Sequence, residues 1–450
     1  MRENKDYLIT EKPSRALLIF SIPMIIGNLF QQAYTIVDSA IVGRYVGETA
    51  LAAVGASYAL TSIFICIAIG GGIGASVIIS HHFGAHNYGR MKTGIRTALL
   101  SFLFISLILG GIGLIFSQQI MDVLNTPADA IDIAVTYLNI YFLGLPFLFM
   151  YNILSSMFNA LGESRIPLYL LIFSSVLNIF LDLYMVAVLN LGVAGAAYAT
   201  FIAQGISAVL SLIIFVVTLQ QLQGKAEGWF SKTEFSDMSR IALPSILQQS
   251  TVSIGMMLVQ SVVNSFGTQI LAGFSAAMRI ESLCVVPMSA IGNAMSSYTA
   301  QNIGAEKEER ISQGYRMGNF MIIVIAVILC LFLEIAHKPL VALFLDNAAS
   351  SQTIVTGESY LKFIGFFFCM IGFKMAVDGI LRGAGAVRVF TIANLVNLTL
   401  RVTIAKFGAP IWGVSMVWYA VPLGWLANFL ISYGYYRTGK WKEAVSKTVD

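Results

Sequence analysis

Long apolar runs recur along the whole sequence and limit what it can fold into. A helix needs about 20 apolar residues to cross the hydrocarbon core of a bilayer. Twelve runs reach that length between polar residues, Gly or Pro, at about 16–43, 51–80, 93–117, 133–158, 166–189, 193–219, 241–264, 271–299, 315–336, 359–381, 388–409 and 411–436. Hydrophobic residues make up 57% of the chain and charged residues 11%, which excludes a soluble protein. The sequence predicts an all-α integral membrane protein with twelve transmembrane helices in the lipid bilayer.

The distribution of Lys and Arg predicts the orientation of the chain. Because twelve is an even number, both termini lie on the same side of the membrane. Of the 27 Lys and Arg residues, 20 lie in the two tails, Arg2, Lys5 and Lys447 among them, or in the loops after spans 2, 4, 6, 8 and 10. The positive-inside rule therefore predicts that both termini lie in the cytoplasm. The net charge of +4 is small, and no basic tract with interleaved aromatic residues suggests a nucleic-acid partner.

The second half of the sequence repeats the first. The longest polar stretch, 220–240, separates residues 1–219 from residues 241–450, with six spans on each side. Matching segments include Pro23 with Pro244, LAAVGA at 51–56 with LAGFSA at 271–276, HHFGAHNYGR at 81–90 with QNIGAEKEER at 301–310, Tyr137-Leu138 with Tyr360-Leu361, and ALGESR at 160–165 with GAGAVR at 383–388. The sequence thus predicts two six-helix lobes joined by a cytoplasmic linker.

Two repeats with an even number of spans share one orientation and are related by a pseudo-two-fold axis along the membrane normal. Such bundles enclose a central cavity that is suited to alternating access, in which one bundle rocks against the other. The alternative is a duplication that only builds a larger structural bundle.

Polar residues inside the spans of the N-terminal half predict an ion site. Asp38 lies in span 1, where a carboxylate at membrane depth costs about 2.5–3.5 kcal/mol on insertion scales. Asn178 and Asp182 share one face of span 5, and Thr200 and Gln204 share one face of span 6, because each pair is four residues apart. If spans 1, 5 and 6 face each other, these oxygen ligands suit H⁺ or Na⁺, and the two carboxylates titrate as a coupled unit. The alternatives are a structural hydrogen-bond network and an Asp38 that reaches water at the membrane surface.

The C-terminal half does not repeat this acidic group. Pairing LNIFLD at 177–182 with VNLTLR at 396–401 places Arg401 at the position of Asp182. Glu281 and Asp378 are candidates for binding a cationic substrate. The alternative is that they pair with Arg279, Lys374 or Arg401, because buried charges are usually paired.

No sequence motif points to an enzyme or to a cofactor. HExxH, GxSxG and Walker A patterns are absent, and the four cysteines are isolated in apolar runs, so no metal cage is indicated beyond a Na⁺ site at the residues above. We therefore expect transport energised by an ion gradient.

Several segments resemble the multidrug and toxic compound extrusion (MATE) family of secondary efflux transporters. They are IPMIIGNLFQQAYTIVDSAIVGRYVG in span 1, FGAHNYGRMK after span 2, NALGESRIP after span 4, GVAGAAYAT in span 6 and MSSYTAQNIGAEKEER after span 8. The resemblance implies a V-shaped, two-lobed exporter in the cytoplasmic (plasma) membrane that extrudes organic cations and drug-like molecules in exchange for H⁺ or Na⁺.

The resemblance also implies roles for particular residues. It assigns ion coupling to Asp38, Asn178, Asp182 and Thr200, and it leaves Gln31, Gln204, Glu281 and Asp378 as candidate substrate contacts. Some branches of the family use acids on spans 7 and 10. Here span 7 carries Gln248, Gln249 and Ser250 instead, and Asp378 is displaced from the family's span 10 acid.

Our interpretation is a monomeric exporter of amphipathic, mostly cationic compounds. A flippase for lipid-linked precursors is the alternative, and it would favour a basic central cleft. An intramembrane enzyme would need a nucleophile and base or a metal triad, and the sequence offers neither.

Overall fold

The computed structural model describes residues 6–46, 48–124, 126, 130–345 and 350–442, and within them the chain forms helices and no strand. The tail residues Arg2, Lys5 and Lys447 lie outside this part of the chain. The helices are α1 (Tyr7–Thr10), α2 (Pro13–Tyr45), α3 (Glu48–Gly84), α4 (Tyr88–Val123), α5 (Ile131–Ala160), α6 (Arg165–Asp182), α7 (Gly192–Gln220), α8 (Lys232–Asn264), α9 (Thr268–Gly304), α10 (Glu308–Ala342), α11 (Ser351–Gly365), α12 (Phe368–Gly383), α13 (Val387–Thr403), α14 (Ala409–Trp412) and α15 (Ser415–Thr438).

The described residues contain eleven helices that are long and apolar enough to cross a membrane, or twelve spans if the bent pair α11 and α12 counts as one. The sequence predicted the tenth span at about 359–381. The structure instead starts this span at Ser351 and bends it by 53° between Gly365 and Phe368. The bend follows a tight turn in which Phe367 N–H donates to the Ile364 carbonyl at 2.9 Å, so the α-helical bonding pattern ends there.

Two π-helical segments interrupt corresponding spans of the two halves. Leu183–Val188 follows α6 directly, and Ile404–Gly408 follows α13. A π-helical turn widens the helix and shifts the side chains that follow it, and such turns are common at functional sites. The first one begins immediately after Asp182.

The backbone carries the internal duplication that the sequence predicted. His86 and Glu306, which are matched in the repeat, both adopt left-handed backbone angles, with φ of 53° and 57°. The matched glycines Gly162 and Gly385 also have positive φ, 81° and 73°. Since few residues other than Gly adopt this conformation, its recurrence at equivalent positions indicates that the two halves share one chain path.

Matched glycines also set the closest helix crossings in each half. A β-carbon at Gly72 would lie 2.5 Å from Ser156 Oγ, and one at Gly292 would lie 2.7 Å from the Met375 carbonyl oxygen. Small residues of this kind let membrane helices approach closely and gain packing contacts. Thus α3 crosses α5 and α9 crosses α12 at the same place in the repeat.

The chain divides into two compact units, one made of Met1–Ile25 with Leu247–Asp450 and the other of Ile26–Ile246. These boundaries lie inside the first and seventh spans rather than at residues 220–240. The polar stretch belongs to the second unit because its hydrogen bonds go to α4: Lys92 Nζ donates to the Leu222 and Gly224 carbonyls, both at 2.8 Å, and Ser231 N–H donates to Thr97 Oγ1 at 3.0 Å.

Ion pairs form a further contact between this polar stretch and helices α3 and α4. Glu234, 3% exposed, contacts His82 Nε2 at 2.9 Å and Arg90 Nε at 3.2 Å. We call Glu234, His82 and Arg90 the linker clasp.

Candidate functional site

Asn178 and Asp182 occupy the last turn of α6 and are almost completely buried, with 2% and 0% of their surfaces exposed. Their separation of four residues places both side chains on one face, as the sequence predicted. Asp182 Oδ1 receives no hydrogen bond from the described part of the chain. A buried carboxylate oxygen without a donor is costly, so this atom calls for a proton or a cation.

Asp38 and Tyr34 on α2 meet this face of α6. The Asp38 carboxyl group lies within hydrogen-bonding range of the Asp182 carboxyl group. Tyr34, one helical turn before Asp38, places its hydroxyl oxygen 2.6 Å from the Asn178 side-chain amide. A hydrogen bond between two carboxyl groups needs one proton between them, and the pair is therefore arranged to hold a single positive charge.

Asn178 connects α6 to α7. The amide orientation that gives each of its polar atoms a partner has its nitrogen donating to Asp182 Oδ2 at 3.0 Å and its oxygen accepting from the Thr200 backbone N–H at 3.0 Å. Thr200 is half-buried on α7, and its hydroxyl adds an oxygen at the edge of the site. The structure thus brings together Asp38, Asn178, Asp182 and Thr200.

Two tyrosines belong to this site and were not predicted from the sequence. Tyr34 bonds Asn178 directly, and Tyr137 on α5 lies close enough to Asp38 and Asp182 to interact with both charges. The spacing of Tyr34 from Asp38 was a usable signal, since residues four apart share a helix face. Tyr137 stood out in the sequence only through its repeat match with Tyr360, and its helix carries many other aromatic residues. We call Tyr34, Asp38, Tyr137, Asn178, Asp182 and Thr200 the acid cluster.

The two predicted glutamine contacts lie beside the acid cluster rather than in it. Gln31 is exposed on α2, one turn before Tyr34, and Gln204 is half-buried on α7, one turn after Thr200. Neither side chain takes part in the hydrogen bonds given above for the acid cluster. Their roles as substrate contacts stay predictions.

Glu281 and Asp378 lie in the other compact unit and have different surroundings. Glu281 is 6% exposed and accepts a hydrogen bond from Tyr360 Oη at 2.6 Å, with Arg401 near enough to interact with its charge. Tyr360 is the residue matched to Tyr137 in the repeat. This half therefore has a carboxylate, a tyrosine and an arginine where the other has two carboxylates and a tyrosine.

Asp378 forms the pairing that the sequence analysis left open as an alternative. Its Oδ2 lies 3.2 Å from Lys374 Nζ, and its Oδ1 accepts from Ser432 Oγ at 2.7 Å. Lys374 also donates to Asn394 Oδ1 at 3.1 Å. Every partner is buried, and the charges of Lys374 and Asp378 balance, so both carboxylate oxygens of Asp378 are already engaged. The role of Asp378 in binding substrate stays a prediction.

The acid cluster has the chemistry of a reversible cation site. Two carboxyl groups, an amide oxygen and three hydroxyl groups on α2, α5, α6 and α7 provide hard oxygen ligands of the kind that bind H⁺ or Na⁺. Because the residues come from several helices, a bound cation would draw those helices together and its loss would release them.

The MatE family model matches this sequence twice, over residues 23–184 and 244–406. The chain belongs to the MATE family. Two matches of one model, at the positions of the two halves, agree with the internal duplication seen in the sequence and the backbone. Members of this family are membrane transporters.

Similar curated proteins match over nearly their full length. The chain is 31% identical over 430 residues to a probable multidrug resistance protein of Bacillus subtilis, YpnP, covering 95% of this chain and 96% of that protein. It is 23% identical over 453 residues to an FAD transporter of Shewanella oneidensis, covering 99% of each. MATE multidrug efflux transporters are thus the proteins that this chain resembles as a whole.

Solved structures share the fold. An outward-facing multidrug resistance MATE family transporter superposes with a TM-score of 0.89 at 24% identity, covering 99% of this chain and 100% of that chain. A transporter from Pyrococcus furiosus, described as having a binding pocket of reversed polarity, gives a TM-score of 0.88 at 25% identity, covering 98% and 99%. The all-α membrane fold predicted from the sequence is confirmed.

Proposed function

We propose that this MATE transporter is a cation-coupled multidrug exporter that moves amphipathic, mostly cationic compounds out of the cell in exchange for H⁺ or Na⁺. The observation that carries the proposal is the acid cluster, where two carboxyl groups lie together in a membrane-spanning helix bundle. A structural role does not require two carboxyl groups in contact, because hydroxyl and amide groups would join the helices at lower cost.

The positions of the two carboxyl groups explain how cation binding would be coupled to the conformation of the helices. A cation bound between Asp38 and Asp182 would join α2 to α6, and Asn178 would transmit the change to Thr200 on α7. A ligand shifts a conformational equilibrium only through its different affinity for the two states. In our proposal the cation from outside favours the state that has released its drug, and its discharge into the cytoplasm resets the protein.

Different features of the cluster support the two candidate ions. The contact between the carboxyl groups of Asp38 and Asp182 supports H⁺, since one shared proton satisfies both. The oxygen atoms of Asn178 and Thr200 support Na⁺, which binds several oxygen ligands at once. Both ions therefore enter the test.

The test is efflux of a fluorescent organic cation from energised whole cells that express the protein, with the H⁺ and Na⁺ gradients collapsed separately. We expect efflux to depend on one gradient and to be lost in Asp38→Asn and Asp182→Asn. Asp132→Asn, which neutralises an exposed carboxylate at the start of α5, is the matched control and should keep wild-type efflux. Gradient-dependent efflux that survives in both acid variants would make the cluster structural.

The same assay addresses the flippase alternative. A flippase for lipid-linked precursors would give no energised efflux of the dye in any variant, the wild type included. The multidrug resistance relatives and the acidic character of the cluster favour the exporter.

A further inference from the structure

The linker of residues 220–240 exposes a group of aromatic side chains. Trp229 is 74% exposed and Phe230 is 50% exposed. Phe235, in the first turn of α8, is also exposed, and its ring lies 6.0 Å from the Phe230 ring between centroids. Aromatic side chains carry large apolar surfaces, and an exposed apolar patch marks a surface that another molecule covers.

Backbone hydrogen bonds hold this part of the linker along α4. Glu227 N–H donates to Thr93 Oγ1 at 2.9 Å, and Ser231 N–H donates to Thr97 Oγ1 at 3.0 Å. The two threonines are four residues apart, so the linker advances by about 6 Å along α4 between these bonds. Trp229 lies between them in the chain, and its place on the molecule is therefore set by the backbone on either side of it.

The lipid-facing surface of α4 begins next to Trp229. The Arg96 guanidinium lies over the Trp229 ring, 4.6 Å from its centroid. Leu100, four residues after Arg96 and on the same helix face, is exposed, and so is Phe104 one turn further on. Exposed apolar side chains of a membrane-spanning helix face lipid. Trp229 thus lies where lipid-facing helix meets polar linker, which is the level at which tryptophan is enriched in membrane proteins.

The neighbouring helix α8 shows the same change from charge to apolar surface. Arg240 is exposed and pairs with Asp237 at 3.6 Å. Leu243, three residues later and on the same face, is 63% exposed. Both helices therefore carry an arginine about one turn before an exposed leucine. We infer that the two arginines lie at the level of the lipid headgroups.

Two cations border the exposed rings. Arg96 is half-buried beside Trp229, and Lys232 is exposed two residues after Phe230. The nearby carboxylate of Glu234 is buried in the linker clasp, where it contacts His82 and Arg90. The linker therefore presents positive charge next to its aromatic surface. We call Arg96, Trp229, Phe230, Lys232 and Phe235 the linker patch.

An anionic phospholipid has the chemistry that fits this surface. Its phosphate accepts charge-assisted hydrogen bonds from guanidinium and ammonium groups, and its acyl chains cover apolar rings that adjoin a lipid-facing helix. The cytoplasmic leaflet also carries a negative surface potential that attracts basic segments close to the membrane. A lipid would cover the rings without any further protein.

We propose that the linker patch binds an anionic phospholipid of the cytoplasmic leaflet. Arg96 and Lys232 contact the phosphate, and Trp229 and Phe230 lie at the boundary between headgroups and acyl chains. The site is separate from the acid cluster, and lipid binding there requires no transport.

The test measures which lipids contact Trp229 in the full-length protein. The protein is placed in nanodiscs of phosphatidylcholine and phosphatidylglycerol in which only one of the two lipids carries bromine on its acyl chains, because bromine quenches tryptophan fluorescence on contact. Subtracting the same measurement on Trp229→Phe isolates the signal of Trp229. We expect phosphatidylglycerol to associate about fivefold more strongly than phosphatidylcholine, as for one cation near a membrane surface.

Two charge variants test the assignment of the phosphate contacts. Arg96→Met and Lys232→Met should each lower the preference for phosphatidylglycerol by about twofold or more, with quenching by brominated phosphatidylcholine retained. Arg96 also donates to the Gly228 carbonyl at 3.4 Å, so its loss could loosen the linker. Lys232→Met leaves that bond and the backbone bonds to α4 in place, and its result decides in that case.

Lys225→Met is the matched control. Lys225 is an exposed lysine of the same linker, and its carbonyl lies beside Gly89, about 10 Å back along α4 from Arg96. In 0.15 M salt the Debye length is about 8 Å. This variant should therefore keep the wild-type preference.

The other outcomes would overturn the proposal. Equal association of the two lipids in the wild type would mean that Trp229 meets the bilayer without selecting a headgroup. An equal loss in Lys225→Met and in the site variants would reduce the effect to net charge. Quenching by neither lipid would place the rings in water, where a cytoplasmic protein would be the partner. A failure of energised efflux leaves these results unchanged, so the lipid site and the export function are tested separately.

Discussion

The hydroxyl of Tyr34 tests whether the acid cluster depends on its hydrogen bonds as well as its charges. Tyr34→Phe removes the group 2.6 Å from Asn178 and keeps the ring. A hydrogen bond of this kind contributes about 1 kcal/mol, so we expect the rate of energised efflux to fall about fivefold, while Asp182→Asn abolishes it. Tyr184→Phe, on an exposed ring in the π-helical segment, is the control in the same efflux assay. Wild-type rates in Tyr34→Phe would show that the hydroxyl does not support coupling.

The buried pair of Lys374 and Asp378 makes a prediction about stability. Both side chains are at most 5% exposed, so Lys374→Met leaves a buried carboxylate without its cation and should cost about 3–5 kcal/mol. The double variant Lys374→Met with Asp378→Asn should recover most of that loss, because it removes both charges.

Thermal unfolding in detergent, followed by Trp fluorescence, measures this effect. Lys362→Met breaks a half-exposed pair with Glu334 at 3.6 Å and should cost at most about 1 kcal/mol. A double variant no more stable than Lys374→Met would contradict the ion-pair explanation.

Single residues differ in how well the sequence predicted them. Asp38, Asn178, Asp182 and Thr200 were predictable because polar side chains in apolar spans must face other protein groups. The partners of Asp378 were half predictable: Lys374 lies four residues away on the same helix, whereas Ser432 comes from a distant span. Only the packing of helices brings such distant residues together.

At the scale of elements, the linker clasp explains why residues 220–240 pack against the helices of the second compact unit. Glu234→Ala would leave the buried His82 and the half-buried Arg90 without their acceptor, and hydrogen bonds to charged groups are worth about 1.5–3 kcal/mol. We expect limited proteolysis within residues 221–231 to become about tenfold faster or more. The exposed side chain of Glu227 makes Glu227→Ala the control, since only its backbone N–H bonds Thr93. Equal cleavage rates in both variants would mean that the backbone bonds to α4 hold the linker alone.

Helices were easier to predict than the irregularities within them. Apolar length identifies a span because the bilayer requires it, but the bend after Gly365 and the π-helical turns leave no such signature. Both depend on local hydrogen bonding, which changes at little cost where neighbouring helices pack against the break. The sequence therefore predicted a tenth span at about 359–381 but neither its start at Ser351 nor the bend after Gly365.

For the whole molecule, the bent pair decides the topology. If α11 and α12 form one span, the chain crosses the membrane twelve times and both termini share a side; if they re-enter on one side, it crosses eleven times. Arg382 lies in the last turn of α12 and Arg388 follows it. The positive-inside rule places this end of the pair in the cytoplasm, which favours one bent span.

Reporter fusions measure directly on which side of the membrane each loop and each terminus lies. Alkaline phosphatase, which is active only outside the cytoplasm, should be active when fused after Leu345 and inactive when fused after Gly385. A fluorescent protein that matures in the cytoplasm should give the opposite pattern and should fluoresce at both chain termini. Phosphatase activity after Gly385 would make the pair re-entrant and would place the two termini on opposite sides. The second half would still start on the same side as the first, because six spans precede it, but α13 and α15 would then run opposite to the fifth and sixth spans, and the parallel repeat on which alternating access depends would end at the bent pair.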